Sequence, residues 1–330
     1  MNHDIVLEVL GACDKRREER RAFMKNAGLA VAGATVLAAC SNNDGFGSVV
    51  TPTPSPTPSP TPAPTSSDQD VLNFALNLEY LEAQFYSFAA NGTSIPISLL
   101  SGTGTPGAPS GGRQVTFTDP AVGRYAREIA GDEQAHVAFL RSVLGSFAVA
   151  QPALDLSADV NGAFSTAARA AGLIGAGQAF DPYANDQNFL LAAFIFEDVG
   201  VTAYKGASPL ITNKTYLEAA AGILAAEAYH AGLIRTTLYR KGLAMPSLID
   251  ATEAISNARD SLDGSSDLDQ GVRNIGNASN IVPTDSNGIA YSRSAGQVQN
   301  IAYLNKAAVD RGGFFPTGVN GAIKLSAASA

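Results

Sequence analysis

Apolar residues recur every three to four positions in four long segments in the middle of the chain. This spacing places them on one face of a helix, and it predicts α-helices over residues 71–90, 120–144, 186–205 and 215–241. The segments between them are rich in Gly, Ser, Thr and Pro, which favour loops. The middle of the chain is therefore predicted to be all-α.

The connections divide the four predicted helices into two pairs. The loops within each pair are modest, whereas a crossover over residues 145–185, with a short helix near 164–170, separates the pairs. Helix pairs joined by one long crossover are typical of a four-helix bundle. We therefore predict a single bundle domain over residues 68–242.

Sequence signals mark several helix ends. Pro120, directly after Asp119, is predicted to occupy the first position of the second helix. Gly206 is predicted to end the third helix. Thr215 and Glu218 have the spacing of a capping box for the fourth.

Residues 243–330 are predicted to form a C-terminal extension of helical and irregular structure. Its helices are expected near residues 248–262 and 294–310, separated by a loop rich in Gly, Asn, Asp and Ser. We expect this extension to pack on the bundle or on a partner surface.

The first 39 residues have the composition of a secretory signal. Arg20 and Arg21 begin a twin-arginine pattern, and a short apolar run over residues 26–39 follows it. This run is too short to span a membrane, which takes about 20 residues. It ends at Cys40, in a Leu-Ala-Ala-Cys sequence that resembles a bacterial lipobox, where the cysteine carries a lipid. A buried helix with an incidental cysteine is the alternative.

Residues 40–67 are predicted to form a linker, because proline alternates with Thr and Ser between residues 51 and 64. Alternating proline prevents helix and sheet hydrogen bonding and favours extended polyproline II. Together with the signal, this predicts an exported protein of the cell envelope, anchored to a membrane through lipidated Cys40.

Composition restricts the partners further. The chain has 22 Lys+Arg against 30 Asp+Glu and a net charge of −8, whereas nucleic-acid-binding proteins present basic surfaces. Nucleic acid is therefore excluded as a partner. An apolar content of 45% is too high for a disordered acidic protein. The sequence leaves open whether the chain forms a homo-oligomer.

Two of the three histidines follow a glutamate by three positions, and each lies on its own predicted helix. These motifs are Glu133 with His136 and Glu227 with His230. Residues three apart share a helix face, so each pair can bind one ion. The other two long helices each supply one glutamate, namely Glu79 and Glu197.

The two helix pairs resemble copies of one unit. When the first pair is overlaid on the second, ionisable and aromatic residues fall on matching positions. The matching residues are Glu79 and Glu197, Tyr86 and Tyr204, His136 and His230, and Arg141 and Arg235.

Four carboxylates inside an apolar bundle are costly to bury in the ionised form. Two divalent cations would cancel four negative charges, and two imidazoles would complete the ligand set. One glutamate from each of two helices, with Glu-x-x-His from each of the others, is the general pattern of di-iron and di-manganese proteins. Because imidazole with carboxylate suits Fe or Mn, we predict two Fe ions, with two Mn ions as the alternative.

Through these motifs, residues 68–242 resemble the ferritin-like superfamily. Over residues 68–324 the chain is similar to bacterial ferritin-like proteins related to plant desiccation-related proteins. Residues 78–83, 297–303 and 312–316 carry this wider resemblance. The resemblance implies a ferritin-like four-helix bundle with a dinuclear iron centre. The implied ligands are Glu79, Glu133, His136, Glu197, Glu227 and His230.

Three neighbours of the expected ligands have two interpretations each. Glu82, one turn after Glu79, is either an additional ligand or a solvated residue near the site. Tyr86 and Tyr204 either donate to a bound peroxide or carry an electron, as catalytic residues, or they fill the core with a satisfied hydroxyl.

Two further pairs of residues lie beside the motifs. Asp132 and Asp198 each adjoin an expected ligand, so they are candidates to orient the histidines from outside the ligand set. Arg141 and Arg235 are predicted to be helix-end charges or partners of carboxylates.

Two classes of function remain in competition. In the first, the chain is an exported oxidoreductase whose dinuclear centre activates O2, reduces peroxide or oxidises Fe(II), and a dimanganese catalase is a variant of this class. In the second, it is a structural or stress-protective interaction protein in which the metal only stabilises the fold or is absent. Iron storage is a third and weaker interpretation.

Overall fold

Four long helices form the centre of the computed structural model, which describes residues 66–329. The prediction of an all-α, ferritin-like four-helix bundle is confirmed. The predicted signal with Arg20 and Arg21, the lipobox Cys40 and most of the linker lie outside the described residues.

Seven α-helices occur within residues 66–329. We number them in chain order: α1 Ser66–Asn91, α2 Pro120–Leu144, α3 Ala163–Ala170, α4 Asp186–Ala207, α5 Lys214–Gly242, α6 Ser247–Asp263 and α7 Ala295–Ala302. Short 3-10 turns are Ile97–Leu99, Gly145–Phe147 and Ser208–Leu210. Strand β1 (Pro109–Ser110) pairs in parallel with β2 (Leu154–Asp155), and this joins the α1–α2 loop to the crossover.

The bundle helices that contact one another run antiparallel. Asn73, early in α1, donates a side-chain hydrogen bond to the carbonyl of Phe147, in the 3-10 turn that directly follows α2. The same order holds between α4 and α5, where Asp198 pairs with Arg235. None of the helices in residues 66–329 combines the length and apolar character that crossing a bilayer requires.

Polar side chains fix the beginnings of the bundle helices. Asp119 caps α2 by accepting a hydrogen bond from the Ala121 amide. The capping box predicted for Thr215 and Glu218 is wrong, because α5 begins one residue earlier and Asn213 is its N-cap. The Asn213 side chain accepts from the Thr215 and Tyr216 amides, so the orphan donors of the first turn are already satisfied.

Two other predicted helix ends are also wrong. Gly206 lies inside α4 rather than ending it, and a Cβ there would overlap the Arg293 backbone. Helix α7 ends at Ala302, eight residues before the predicted end, because Leu304 has a positive φ of 52° that a helix cannot accommodate.

The C-terminal extension contacts the bundle through aromatic residues. Phe314 packs edge-on against Phe164 of α3 and Phe196 of α4, with ring centroids 5.1 and 4.9 Å apart. Asn320 adds hydrogen bonds at the other end of the bundle, where its backbone and the side chain of Asn77 bond to each other. The hydrophobic core is therefore continuous from the bundle into the extension.

A buried ionic network also joins the extension to α4 and α5. Three arginines and three aspartates alternate along it, all at most 4% exposed. In spatial order they are Arg235, Asp198, Arg259, Asp269, Arg293 and Asp263. Because each arginine has a carboxylate partner, the network buries six charges without an uncompensated one.

Candidate metal centre

Six side chains from the four bundle helices converge inside the bundle. Each of the two Glu-x-x-His motifs presents both of its side chains to the interior, and α1 and α4 add one glutamate each. All of these six side chains except that of His136 are at most 5% exposed. The residues that meet are the six ligands expected from the sequence: Glu79, Glu133, His136, Glu197, Glu227 and His230.

The first ligand group surrounds His136. Its Nδ1 lies 3.2 Å from Glu79 Oε2, 3.4 Å from Glu133 Oε2 and 3.8 Å from Glu227 Oε1. Ligand atoms of these four residues all lie within 4.8 Å of one another. This group therefore has the ligand types and spacing for one cation.

The second ligand group surrounds His230. Its Nδ1 lies 3.0 Å from Glu133 Oε1 and 3.7 Å from Glu197 Oε2. Glu133 belongs to both groups and turns one carboxylate oxygen toward each histidine. The arrangement therefore offers two adjacent cation positions with Glu133 as the bridge.

Unsatisfied polar atoms show that this cluster suits metal ions. Both oxygens of Glu133 and Glu227, Glu197 Oε2 and His230 Nδ1 are buried without a hydrogen-bond partner among the described residues. A buried polar group without a partner costs about 1–3 kcal/mol, and more when it is charged. Cations would satisfy these atoms together, so the donor set fits the two metal ions that the resemblance implies.

Burial and mutual repulsion oppose ionisation of most of the carboxylates. Burial raises the pKa of Glu79 to about 7 and that of Glu197 to about 8. Burial and the neighbouring carboxylates raise the pKa values of Glu82 and Glu227 well above the usual range. Without metal, the cluster therefore retains protons on several ligands at neutral pH.

In contrast to these carboxylates, the two histidines and Glu133 are favoured in their charged forms. Burial disfavours the charged forms of His136 and His230, but the surrounding carboxylates outweigh it and raise both pKa values to about 11. Burial also opposes ionisation of Glu133, yet the two histidines hold its pKa well below the usual range. In the metal-free protein, Glu133 therefore lies ionised between two protonated histidines.

Tyr86 and Tyr204 bind ligand carboxylates across the bundle. Tyr86 on α1 donates its hydroxyl to Glu197 Oε1 on α4, and Tyr204 on α4 donates to Glu79 Oε1 on α1. Burial raises the pKa of both hydroxyls well above 10, so they remain donors. Each tyrosine therefore orients the single glutamate of the opposite helix.

Asp132 and Asp198 have different surroundings. Asp132 Oδ2 lies 3.4 Å from His230 Nε2, the ring nitrogen that faces away from the cluster, and a hydrogen bond there can orient the ring. Asp198 does not meet a histidine. It lies 2.8 Å from Arg235 and 3.2 Å from Arg259, so it belongs to the ionic network.

The two matching arginines also differ. Arg235 binds Asp198, as a carboxylate partner would, and donates to backbone carbonyls of the extension. Arg141 instead donates to the Tyr80 hydroxyl and the Ser101 carbonyl.

Glu82 is buried beside the cluster, outside the two ligand groups. Its counterpart on α4 is Gly200, three residues after Glu197. A Cβ added at Gly200 would overlap Glu227 Oε2 and lie 3.5 Å from Glu82 Oε1. The missing side chain at Gly200 therefore leaves room for both carboxylates.

Sequence reasoning missed the partners that the extension supplies. Arg259 binds Asp198, next to the ligand Glu197, and Asp269 in turn binds Arg259, but nothing in their spacing links them to the bundle. The sequence indicates the role of Gly200 only weakly. It is a glycine inside an apolar helix, at the position that corresponds to Glu82 in the first helix pair.

Comparison with known proteins agrees with this geometry. The model of the family described as the ferritin-like domain matches residues 67–240. The desiccation-related protein PCC13-62 of Craterostigma plantagineum is 32% identical over 246 residues, which cover 69% of this chain and 75% of the relative. The ferritin-like catalase Nec2 of Nesocodon mauritianus is 29% identical over 269 residues, which cover 78% and 85%. No solved structure matches the chain significantly.

Proposed function

Because this chain belongs to the ferritin-like domain family, we propose that it decomposes hydrogen peroxide at a dinuclear metal centre. The two metals are proposed to be iron, with manganese as the alternative. The observation that carries the proposal is the pair of adjacent ligand groups sharing Glu133. A relative named as a ferritin-like catalase supports peroxide as the substrate.

The reaction needs two electrons to be stored and returned. Two bound ions of variable valence would supply that chemistry, by which two H2O2 become two H2O and one O2. The contribution of the chain is to hold the ions next to one another through Glu133. Tyr86 and Tyr204 keep the glutamates of α1 and α4 in place by hydrogen bonds.

In this proposal, Glu82 is the residue that transfers protons. Burial and the neighbouring carboxylates raise its pKa in the metal-free protein, and its carboxyl lies beside the same Gly200 as that of the ligand Glu227. A neutral carboxyl can donate a proton to the leaving oxygen of a peroxide and recover it from the next substrate molecule. The apolar helices around it limit water, which favours this internal exchange.

Metal content and peroxide turnover test the proposal. We expect the full chain to bind about two Fe or Mn per molecule, measured by elemental analysis, and to evolve O2 from H2O2 at an oxygen electrode. The double variant Glu133→Ala/His230→Ala should lose both properties. Glu218→Gln, which changes an exposed glutamate of α5, is the control and should keep them.

Three outcomes separate the competing functions. A native, well-folded protein that cannot be reconstituted with metal would refute the proposal and favour a structural or protective role. Metal binding with Fe(II) oxidation by O2 but without peroxide turnover would indicate a ferroxidase. Optical bands of an oxo-bridged di-iron unit would distinguish iron from manganese.

Export and lipid anchoring form a separate part of the proposal. It rests on Arg20, Arg21 and Cys40, which lie outside the described residues. In a bacterial host, we expect the protein to fractionate with membranes outside the cytoplasm. Cys40→Ala should release it into the soluble exported fraction, and Arg20→Lys/Arg21→Lys should retain it in the cytoplasm. Unchanged distribution of both variants would contradict the anchoring.

A further inference from the structure

A cavity of about 30 Å³ lies next to the candidate metal centre, between α1, α4 and α7. Glu82 of α1 and Gly200 of α4 line it on the side of the ligands. Val298 and Ala302 of α7, together with Phe314, line it on the side of the extension. The C-terminal extension therefore provides one wall of a space whose other wall belongs to the bundle.

Gly200 connects this cavity to the ligand cluster. Its Cα lies so close to Glu227 that an added Cβ would overlap the ligand oxygen, and the same Cβ would touch Glu82. The Glu227 carboxylate therefore packs directly against Gly200, which also lines the cavity. The cavity is adjacent to the metal positions and not a remote packing defect.

The size of the cavity restricts its occupant. A space of this kind needs roughly 10–15 Å³ to hold one water molecule, so 30 Å³ corresponds to two waters or one molecule of two heavy atoms. Organic reductants with a ring or a chain are too large. Dioxygen and hydrogen peroxide both fit.

The lining distinguishes between these two molecules. Apart from Glu82 and the backbone of Gly200, the side chains around the cavity are Leu, Ile, Val, Phe and Ala. An ordered water needs two to four polar partners, and apolar cavities stay dry and bind apolar guests such as xenon. Hydrogen peroxide has the same need for hydrogen bonds as water, whereas dioxygen has none.

We propose that this cavity is a docking site for one dioxygen molecule, with Glu82 and Gly200 as its wall toward the metal centre and α7 as its outer wall. The presence of the site rests on the lining alone. Its role in turnover rests on the proposed function, in which dioxygen is the product of peroxide decomposition or the substrate of Fe(II) oxidation. The extension thus contributes to the reaction although it supplies no ligand.

Xenon is the probe for the cavity, because it is apolar and its binding needs no metal. We expect one xenon peak between Glu82 and Ala302 in crystals of the full chain pressurised with the gas. Ala302→Val should abolish the peak by filling the space. Ala295→Val, the same substitution on the same helix away from the lining, should leave it unchanged. Ordered water in the cavity, or no xenon in the unaltered chain, would overturn the proposal.

A second variant covers the case in which Ala302→Val does not fold. Val298→Ala removes two carbons from the wall and should increase xenon occupancy, and an unchanged or lower occupancy would count against the proposal. Stopped-flow oxidation of the Fe(II)-loaded protein by O2 then tests the role. Ala302→Val should slow it several-fold relative to Ala295→Val, and equal rates would refute that role.

These measurements distinguish failure of the cavity from failure of the proposed function. If xenon binds but the metal-loaded protein reacts with neither peroxide nor O2, the proposed function is wrong, and the cavity is still supported as an apolar binding site. If turnover occurs without xenon binding, the metal centre stands and the dioxygen site is wrong.

Discussion

Binding of two divalent cations at pH 7 should release about four protons per chain, because the metal-free ligands hold them and metal ligands must be deprotonated. The histidines contribute first. The carboxylates around His136 and His230 raise both pKa values to about 11, so each imidazolium loses one proton on binding metal. Glu227, whose pKa burial and the neighbouring carboxylates raise well above the usual range, adds to this release.

The remaining carboxylates account for the rest. Glu197, with a pKa of about 8, is mostly protonated at pH 7, and Glu79, with a pKa of about 7, is half protonated. Glu133 is already ionised because the histidines lower its pKa. At pH 9 both Glu79 and Glu197 are ionised in the metal-free protein, so the release should fall by about one proton.

Anaerobic titration with Mn(II) in a weakly buffered solution measures this release directly, because Mn(II) binds without changing valence. The same count should appear as the slope of log affinity against pH, near four at pH 7 and lower by about one at pH 9. The Glu133→Ala/His230→Ala variant is the control and should release no protons at the site. Release of one proton or fewer by the unaltered chain, at full metal occupancy, would refute the protonated cluster.

Four further predictions follow from the same structure. The metal-free protein should lose stability between pH 5 and pH 8 in thermal melts, because raised pKa values such as that of Glu79 favour the protonated, folded form and this advantage disappears as pH rises. Gly200→Ala should weaken metal affinity by about tenfold or more, measured by competitive chelation, by displacing the Glu227 carboxylate. Tyr204→Phe should lower affinity or turnover by about 10- to 100-fold, because Glu79 loses its orienting hydrogen bond. Asp198→Asn should cost about 3–5 kcal/mol in urea unfolding, because it leaves buried arginines without their carboxylate.

Matched variants control these predictions. Gly222→Ala on α5 has open space around the new Cβ, so it should gain about 1 kcal/mol of helix stability without changing metal affinity. Asp250→Asn removes an exposed pair with Arg273 and should change stability by less than about 1 kcal/mol. Equal effects of Gly200→Ala and Gly222→Ala on metal affinity, or of Asp198→Asn and Asp250→Asn on stability, would contradict the structural argument. A metal-free protein whose melting temperature rises from pH 5 to pH 8 would contradict the pH prediction.

The bundle and its ligands could be predicted because their signals are local. An apolar face repeats within each helix, and the Glu133–His136 spacing of three residues is meaningful once a helix is expected. Loop lengths then bring the four helices together, and this places Glu79 and Glu197 opposite the two motifs. No information from distant parts of the chain was needed.

The features that sequence reasoning missed depend on distant contacts. Gly206 has the composition of a helix end, but its function is to admit the Arg293 backbone, 87 positions later in the chain. Asp198 looks equivalent to Asp132 beside a ligand, yet Arg259 of α6 binds it. The end of α7 is set by the positive φ of Leu304. The sequence does not indicate this, because Leu304 is an apolar residue at helical spacing.

The departures from symmetry between the two helix pairs have a common location. Tyr86 and Tyr204 remain equivalent, since each binds the glutamate of the other's helix. Arg235, unlike Arg141, donates to the backbone of the extension. Gly200, unlike Glu82, has no side chain, and it lines the cavity that α7 borders on the other side.

Both differences thus occur where the second helix pair meets the extension. A duplicated two-helix unit alone would give two equivalent metal positions with equivalent surroundings. The extension packs against α4 and α5 through the ionic network, and through α7 and Phe314 it closes the cavity beside Gly200. It therefore makes the two sides of the centre chemically different, with a carboxyl and an apolar space on one side. In the proposed peroxide decomposition, Glu82 as proton donor and the apolar space for dioxygen therefore lie together on one side of the centre.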